Sequence, residues 1–284
     1  MMTYRYRAVQ LLFLFLLVVP TLAQATTFWD DEMENNSTRF NASGFLAGTL
    51  IPAGTMTFDT SVKFSGAGSI RLNYPSNCQT ATTANQCGGA ASAPIGTGTD
   101  DLWQRLYFRM SGIGPNPTAS GNFVPSITAY TKMMKAQNGS TSPRAWATMG
   151  QTSSIYSLQF ENTESVGRTR KIQSSISFAN NRWYCLETRI KMNTSVNGVF
   201  HADGIEEQYV DGVLVGRATD ILMRNTTISP TAQITEVGIF RQVGEGNIWY
   251  DRWAVGNTRI GCVGGTPPPV DTTTPTMPTA LGIR

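Results

Sequence analysis

Glu206-Glu207-Gln208-Tyr209-Val210-Asp211-Gly212-Val213-Leu214-Val215 is the stretch of this sequence that most clearly predicts its fold. Two short β-prone runs flank Asp211-Gly212, and Asp-Gly between such runs is a strong local signal for a two-residue hairpin turn. Because neighbouring residues of a strand face opposite sides, Glu206 and Glu207 cannot both contribute to one surface. The stretch predicts a β-fold with at most one ligand-facing carboxylate.

Strand-like segments of this kind recur from residue 26 to residue 262, and no long amphipathic helix interrupts them. Stretches that contain Gly and Pro, such as residues 112–117 and 138–143, separate the segments. This organisation predicts an all-β, antiparallel β-sandwich rather than βαβ units. The clearest predicted strands are residues 69–74, 103–110, 126–134, 155–160, 183–192, 206–210, 213–217, 236–241 and 248–255.

The two ends of the chain differ in composition from the predicted sandwich, residues 26–263. Residues 1–25 resemble a signal peptide: Arg5 and Arg7 precede an apolar run, and Ala23-Gln24-Ala25 supplies a small-x-small cleavage pattern. Residues 264–284 are rich in Pro and Thr, which is typical of a linker, and could begin a further module. The sequence therefore predicts export to the extracellular space, the periplasm or the cell surface.

The net charge of the chain and the distribution of its charged residues limit the classes of partner that it can bind. The formal net charge of +3 falls to +1 when Arg5 and Arg7 leave with the signal peptide, and only 14% of the residues are charged. Because no Lys/Arg-dense segment carries interleaved aromatics, nucleic acid is not an expected partner. We also expect no membrane span after cleavage of the signal peptide. The sequence contains no pattern from which an oligomeric state can be predicted.

Four cysteines in an exported chain indicate two disulfides rather than a metal–thiolate site. Cys78 and Cys87 lie in one loop-like stretch, so a local bridge is the simplest pairing. A Cys185–Cys262 bridge would then tie the end of the domain to a strand. All three pairings of four cysteines stay open at this stage.

Five motifs together resemble the concanavalin A-like lectin/glucanase superfamily, in particular its bacterial jelly-roll members that include polysaccharide lyases. The resemblance covers roughly residues 28–262, although Arg252 replaces the second acid of the closing motif. The resemblance implies a jelly-roll sandwich that engages a polysaccharide; it does not settle whether the protein cleaves it. The motifs are Phe28 to Glu34 ("DDFE"-like), Gly66 to Leu72 ("GxxSLR"), Trp183 to Glu187 ("WxxxE"), the Asp211-Gly212 turn ("YVDG") and Trp249 to Val255 ("YxDDxxV").

Alternation along four predicted strands places long polar side chains on one face of each strand. If these faces line one concave sheet, they form an open groove suited to a glycan; the alternative is a polar face that meets only solvent. The residues predicted to bind substrate are Arg105, Tyr107, Arg109, Gln159, Glu161, Glu187, Lys191 and Tyr209.

A polysaccharide lyase neutralises a uronic carboxylate and removes the neighbouring proton. Arg and Lys suit the first task, and Tyr or His suits the second. The predicted catalytic set is Tyr130, Lys132, Arg189 and His201. The lyase motif "QxH" does not occur, so lyase activity rests on fold and charge.

Three other functions are alternatives to a lyase. A glycoside hydrolase needs two carboxylates flanking the scissile bond, and the absence of an "ExDxxE" strand counts against it. A non-catalytic carbohydrate-binding or adhesive module fits the same polar faces. A structural module of a larger surface protein fits the Pro/Thr-rich tail.

No cofactor is required for any of these functions, but Asp30, Asp31 and Asp251 could bind a structural Ca²⁺. First and last strands are often neighbours in such sandwiches, which would bring these acids together. The alternative is that all three are ordinary turn-capping acids.

Overall fold

The structure is a computed structural model that describes residues 27–34, 56–74, 88–110, 131–138, 141–152, 155–163, 169–176, 178, 181–225, 230–242 and 246–263. Strands make up the regular structure of these ranges, and they contain no helix, so none that could cross a membrane. The predicted signal peptide, the Pro/Thr-rich tail, Cys78, Cys87 and Tyr130 lie outside the described residues.

Sixteen strands follow one another along the described part of the chain. They are β1 (Thr27–Asp31), β2 (Met56–Asp59), β3 (Ser69–Tyr74), β4 (Gly88–Thr99), β5 (Asp101–Met110), β6 (Thr131–Asn138), β7 (Thr141–Thr152), β8 (Ile155–Thr163), β9 (Thr169–Ile176), β10 (Trp183–Lys191), β11 (Ser195–Val196), β12 (Val199–Phe200), β13 (Gly204–Val210), β14 (Val213–Ile221), β15 (Ile234–Gln242) and β16 (Gly246–Gly256).

The strands form two large antiparallel sheets. Sheet A has eight strands in the order β14-β13-β10-β5-β16-β3-β2, with β1 also paired to β16. Sheet B has six strands in the order β4-β15-β6-β7-β8-β9, and β11 and β12 form a separate small hairpin. The all-β, antiparallel prediction is confirmed.

The core lies between the two sheets. Leu106 and Phe108 of sheet A and Val237 and Ile239 of sheet B are fully buried, and they belong to one hydrophobic cluster. Burying a side chain of this size stabilises the fold by about 1.5–3 kcal/mol. Residues that alternate with these along each strand therefore face outward, away from the other sheet.

The Asp211-Gly212 turn has the predicted form. Both residues have positive φ, at 50° and 82°, and the flanking Val210 and Val213 pair with each other. Two positive φ values are the mark of a type I′ turn, whose twist matches that of the strands. Register places Glu206 opposite core-facing Ile190, whereas Glu207 lies on the outer face.

Six strands, β2, β4, β7, β9, β11 and β12, are missing from the clearest predicted strands, and the separating stretch predicted at residues 138–143 is shorter than expected. β6 continues to Asn138 and β7 begins at Thr141, which leaves only residues 139 and 140 between them. Pro143 is tolerated inside β7 because it lies at a register shift in the pairing with β6 and before the pairing with β8 begins. β4 is rich in Gly and Ala and contains Pro94; as an edge strand it can hold such residues.

Candidate functional site

The four strands that carry the predicted polar faces belong to two different sheets. β5 and β10 are neighbours in sheet A, whereas β6 and β8 belong to sheet B. Arg105, Tyr107 and Arg109 alternate with core residues of β5 and so lie on the outer face of sheet A. The predicted site residues therefore occupy opposite outer faces of the sandwich, and the single groove expected from all four strands is not formed.

Glu187 lies on the outer face of sheet A beneath residues 257–263, which we call the C-terminal strap. Its carboxylate is fully buried and accepts hydrogen bonds from the backbone N–H groups of Ile260 (3.0 Å) and Gly261 (2.8 Å). Arg259 Nε completes the set at 2.9 Å. The carboxylate predicted to bind substrate thus anchors the end of the domain.

Arg105 and Tyr107 hold the same strap. Arg105 pairs with Asp30 at 2.8 Å and donates a hydrogen bond to the carbonyl oxygen of Gly261 at 3.4 Å. The hydroxyl of Tyr107 accepts a hydrogen bond from the backbone N–H of Val263. Both side chains are nearly fully buried, so contact with a substrate would require the strap to move aside.

The cysteine pairing that sequence left open is resolved for one pair. Cys185 and Cys262 form a disulfide with a Cα–Cα distance of 6.0 Å. The bridge attaches the C-terminal strap to β10, two residues from Glu187. Cys78 and Cys87 lie outside the described residues, so their bridge stays a prediction.

Arg189 is already paired with carboxylates of the chain. It binds Asp101 in bidentate fashion, at 2.9 and 2.7 Å, and lies 3.4 Å from Glu207. Its guanidinium also stacks over Trp103 at 5.2 Å. A catalytic role for Arg189 stays a prediction, and it would require a substrate carboxylate to compete with Asp101.

The two tyrosines of this face titrate well above neutral pH. Burial raises the pKa of Tyr107, although the hydrogen bond from Val263 lowers it. Burial, followed by the negative charge of Glu207, raises the pKa of Tyr209 to about 12. Both phenols are therefore protonated at neutral pH and are poor general bases there.

The remaining predicted residues of sheet A lie apart from one another. Lys191 is half-buried at the end of β10, opposite Asp101, and Arg109 is half-buried near the other end of β5. His201 is exposed after the small β11–β12 hairpin, where its backbone N–H donates to the carbonyl of Thr194 at 3.0 Å. Lys132 lies in sheet B, so it is not brought together with Arg189 of sheet A, and the position of Tyr130 falls outside the described residues.

The three acids predicted to bind calcium each have partners within the chain. Asp30 pairs with Arg105 and Arg252, and Asp31 accepts a hydrogen bond from the backbone N–H of Met33 at 2.7 Å. Asp251 Oδ2 accepts the N–H groups of Phe64 and Ser65. Among the described residues, no three His, Cys, Asp or Glu side chains are grouped to hold a metal ion. Calcium binding therefore stays a prediction without a ligand set.

Asp251 is expected to make stability depend on pH. Burial raises its pKa from 3.8 to about 6, although the N–H groups of Phe64, Ser65 and Arg252 lower it. The folded state therefore holds the proton more tightly than the unfolded chain, and stability is lost as the pH rises from the unfolded pKa through 6. Asp251→Asn should abolish this loss, about 3 kcal/mol, measured as the free energy of unfolding in urea between about pH 3.5 and 7.5.

Asp59→Asn is the matched control because Asp59 is shifted in the opposite direction. Burial raises its pKa, but hydrogen bonds from Ser61, Trp249 and Val62 outweigh burial and lower the pKa to about 2. Its stabilising contribution is present above the unfolded pKa of 3.8 and is lost as the pH falls through 2. A difference between wild type and Asp251→Asn that stays constant with pH would contradict the prediction.

The outer face of sheet B contains the other predicted residues. Ala145 and Ala147 of β7 are buried in the core, so the positions that alternate with them face outward. A register shift between Lys132 and Met134 places Lys132 opposite Thr148, on that outer face. Gln159 and Glu161 occupy the same face because they pair with Thr148 and Trp146.

Register aligns polar residues in continuous rows across sheet B. The first row crosses five neighbouring strands, and every position in it is polar. With strands about 4.8 Å apart, it spans about 19 Å. The second row carries two lysines, a tryptophan and a glutamate. The first row is Gln242, Lys132, Thr148, Gln159 and Gln173, and the second is Gly238, Lys135, Trp146, Glu161 and Lys171.

Three described side chains on this face form a hydrogen-bonded group. Glu236 Oε1 accepts from Lys135 Nζ at 3.0 Å and from Gln137 Nε2 at 2.7 Å. The lysine, the amide and the carboxylate belong to adjacent strands β6 and β15. Sequence reasoning missed this group, because residues 135–138 were assigned to the segment after a predicted strand. The alternation of Lys135 and Gln137 with buried Ala136 was the available signal.

The fold of this chain is similar to that of solved alginate lyases. No family model matches the sequence, and no curated protein matches it. Among solved structures, the chain is similar to the marine PL-14 alginate lyase from Aplysia kurodai, with a TM-score of 0.52 and 13% identity over 81% of this chain and 99% of that one. It is also similar to the alginate lyase vAL-1 from Chlorella virus, with a TM-score of 0.46 and 13% identity over 71% of this chain and 93% of that one. The concanavalin A-like jelly-roll fold that the sequence motifs indicate is confirmed.

Proposed function

We propose that this protein is an exported domain that binds an acidic polysaccharide across the outer face of sheet B. The contrast between the two outer faces carries the proposal. The C-terminal strap covers the part of the outer face of sheet A around Glu187, Arg105 and Tyr107, whereas polar rows cross five strands of sheet B. A row of about 19 Å is long enough for several sugar units of an extended chain.

The residue types of the rows suit an acidic sugar chain. Lys132 and Lys171 supply positive charge for carboxylates. Lys135 is instead paired with Glu236. Gln and Thr supply donors and acceptors for hydroxyl groups. Trp146 occupies a central position in the second row, where an aromatic ring is suited to stack on a sugar. The PL-14 alginate lyase of similar fold is named for alginate, an acidic polysaccharide, which agrees with this substrate class.

Cleavage by β-elimination is the catalytic form of this proposal. Lys132 lies in the first row, and Tyr130, two residues earlier in sequence, is the predicted proton-transfer partner. The lysine would neutralise the uronic carboxylate, and Tyr130 as the phenolate would remove the C5 proton. The electron pair would form the C4=C5 double bond as the C4–O bond breaks, and the phenol would return the proton to the leaving oxygen. The alternative is a non-catalytic binding module that uses the same rows without these steps.

Incubation with a panel of polyuronates, neutral glycans and sulfated glycans separates these functions. New unsaturated ends, detected by ultraviolet absorbance, indicate a lyase; retardation in affinity gels without new ends indicates a binding module. Lys132→Ala should weaken binding to the polyuronate about tenfold, because one charge-assisted contact is lost.

Lys63→Ala is the matched control, since Lys63 is exposed in the loop that packs against the other sheet. It removes the same charge and should leave binding unchanged. If Lys132→Ala and Lys63→Ala weaken binding equally, sheet B is not the binding face. The same conclusion follows if Lys132→Ala and Gln159→Ala, measured as separate variants, both bind the polyuronate as tightly as the wild type.

A further inference from the structure

One cross-strand row on the outer face of sheet A alternates tryptophan and arginine. Trp183 of β10 pairs with Arg109 of β5, which pairs with Trp249 of β16, which pairs with Arg71 of β3. With strands about 4.8 Å apart, these four residues span about 14 Å. We call them the Trp–Arg row.

Trp249 lies between the two arginines of the row, and its indole ring is held in position by three neighbouring side chains. The guanidinium carbons of Arg109 and Arg71 lie 5.6 and 6.0 Å from its ring centroid. Its indole N–H donates to Asp59 Oδ2 at 2.9 Å. Stacking uses the flat faces of the guanidinium groups, so their in-plane N–H donors remain for another partner.

The two arginines of the row lack the carboxylates that hold the other arginines of this face. Arg105, Arg189 and Arg259 each pair with Asp or Glu, whereas Arg71 and Arg109 form no ion pair with any described residue.

Their hydrogen bonding is also incomplete. Arg109 Nε is buried and has no hydrogen-bond partner among the described residues. Arg71 donates Nε to Asn247 Oδ1 at 2.9 Å, which leaves its two terminal nitrogens. Because Arg109 Nε is buried and Arg71 Nε is bonded, the terminal nitrogens of the two guanidinium groups are the donors that a ligand acceptor can reach.

The row lies beside the covered part of sheet A rather than beneath it. The adjacent row contains Tyr107, which is covered by stacked Phe64, with ring centroids 3.7 Å apart. Phe64 also meets Trp183 edge-on at 6.1 Å and so forms a wall on that side. Trp183, Arg109 and Arg71 keep part of their surface exposed.

We propose that the Trp–Arg row is a second binding surface, separate from sheet B, for the carboxylate or sulfate groups of an acidic polysaccharide. Arg71 and Arg109 are two strands apart, about 9.6 Å, so an extended polyanion meets a cation, an aromatic ring and a second cation in turn. Guanidinium groups bind carboxylate and sulfate in bidentate fashion. Asp59 offers no competing ion pair, because its oxygens accept from Ser61, Val62 and Trp249.

Titration calorimetry with oligosaccharides of defined length tests the proposal. The probes are an oligouronate, a sulfated oligosaccharide, a neutral oligosaccharide and a single-stranded oligonucleotide. In the Lys132→Ala background, which weakens the proposed sheet B site, Arg71→Gln and Arg109→Gln should each weaken the remaining binding of the acidic oligosaccharides about tenfold. Higher affinity for the uronate than for the sulfated probe, or the reverse, identifies the anion.

Arg217→Gln is the matched control. Arg217 lies on β14 of the same sheet, is largely exposed and pairs with Glu207 at 3.1 Å, so the variant removes an equal charge away from the row. Arg109→Lys keeps the charge without the bidentate fork and should retain part of the affinity, which keeps the test valid if Arg109→Gln fails to fold. An affinity in both Gln variants equal to that of the Lys132→Ala background, an equal loss in Arg217→Gln, or tighter binding of the neutral oligosaccharide or the oligonucleotide would overturn the proposal.

Discussion

Glu187→Ala is expected to lower the free energy of unfolding by about 3–5 kcal/mol, because it breaks a buried and fully hydrogen-bonded ion pair. The buried carboxylate accepts two backbone N–H groups and the Arg259 guanidinium. Truncation leaves Arg259 without its carboxylate and both N–H groups without an acceptor. Urea unfolding measures the loss, and the melting temperature should fall by roughly 6–20 °C.

Glu32→Ala is the matched control for this variant. The Glu32 side chain is 42% exposed, and its ion pair with Arg252 at 3.2 Å should contribute less than about 1 kcal/mol. Trypsin cleavage after Arg259 reports the position of the strap directly and should become faster only in Glu187→Ala. If the two variants lose equal stability, Glu187 does not anchor the strap.

Replacing both Cys185 and Cys262 with alanine is expected to cost about 4.5 kcal/mol. The bridge spans a sequence separation of 77 residues, and cutting it returns the loop-closure entropy to the unfolded chain. The free energy of unfolding of the double variant, measured in urea against the oxidised wild type, gives the loss. A loss below about 1 kcal/mol would show that other contacts alone hold the strap.

The bridge and the carboxylate should not act independently. Cys185 and Glu187 are two residues apart on β10, and both hold the C-terminal strap. Combining Glu187→Ala with the two cysteine substitutions should cost less than the sum of the separate losses, because a released strap has no contact left to lose. Additive losses would mean that the strap stays in place without the bridge.

Local sequence signals predicted the strands of sheet A well. The Asp211-Gly212 turn has the expected positive φ values, and alternation correctly separated Leu106 and Phe108 from Arg105 and Tyr107. These signals succeed because a two-residue turn and a two-residue period are short-range properties of the chain.

Sheet B was predicted less well. β4 holds many Gly and Ala residues with little β-propensity, and β7 was missed because Pro143 suggested a turn. Their strand conformation comes from pairing with neighbours, since β7 lies between β6 and β8 and β4 lies beside β15. Without these strands, the polar rows of sheet B could not be assembled from the sequence.

Local patterns in the sequence are sufficient to indicate an antiparallel sandwich, to assign the two sides of each recognised strand, and to separate Glu206 from Glu207. Long-range strand pairing puts β5 and β10 in a different sheet from β6 and β8, so that their polar faces point in opposite directions. Contacts between distant parts of the chain also mean that Glu187 holds the C-terminal strap, while Arg71 and Arg109 lie beside Trp249 without an ion-pair partner in the described part of the chain. Alternation is a local property that fixes the side of a strand, whereas which strands become neighbours depends on long-range pairing and on what the rest of the chain covers.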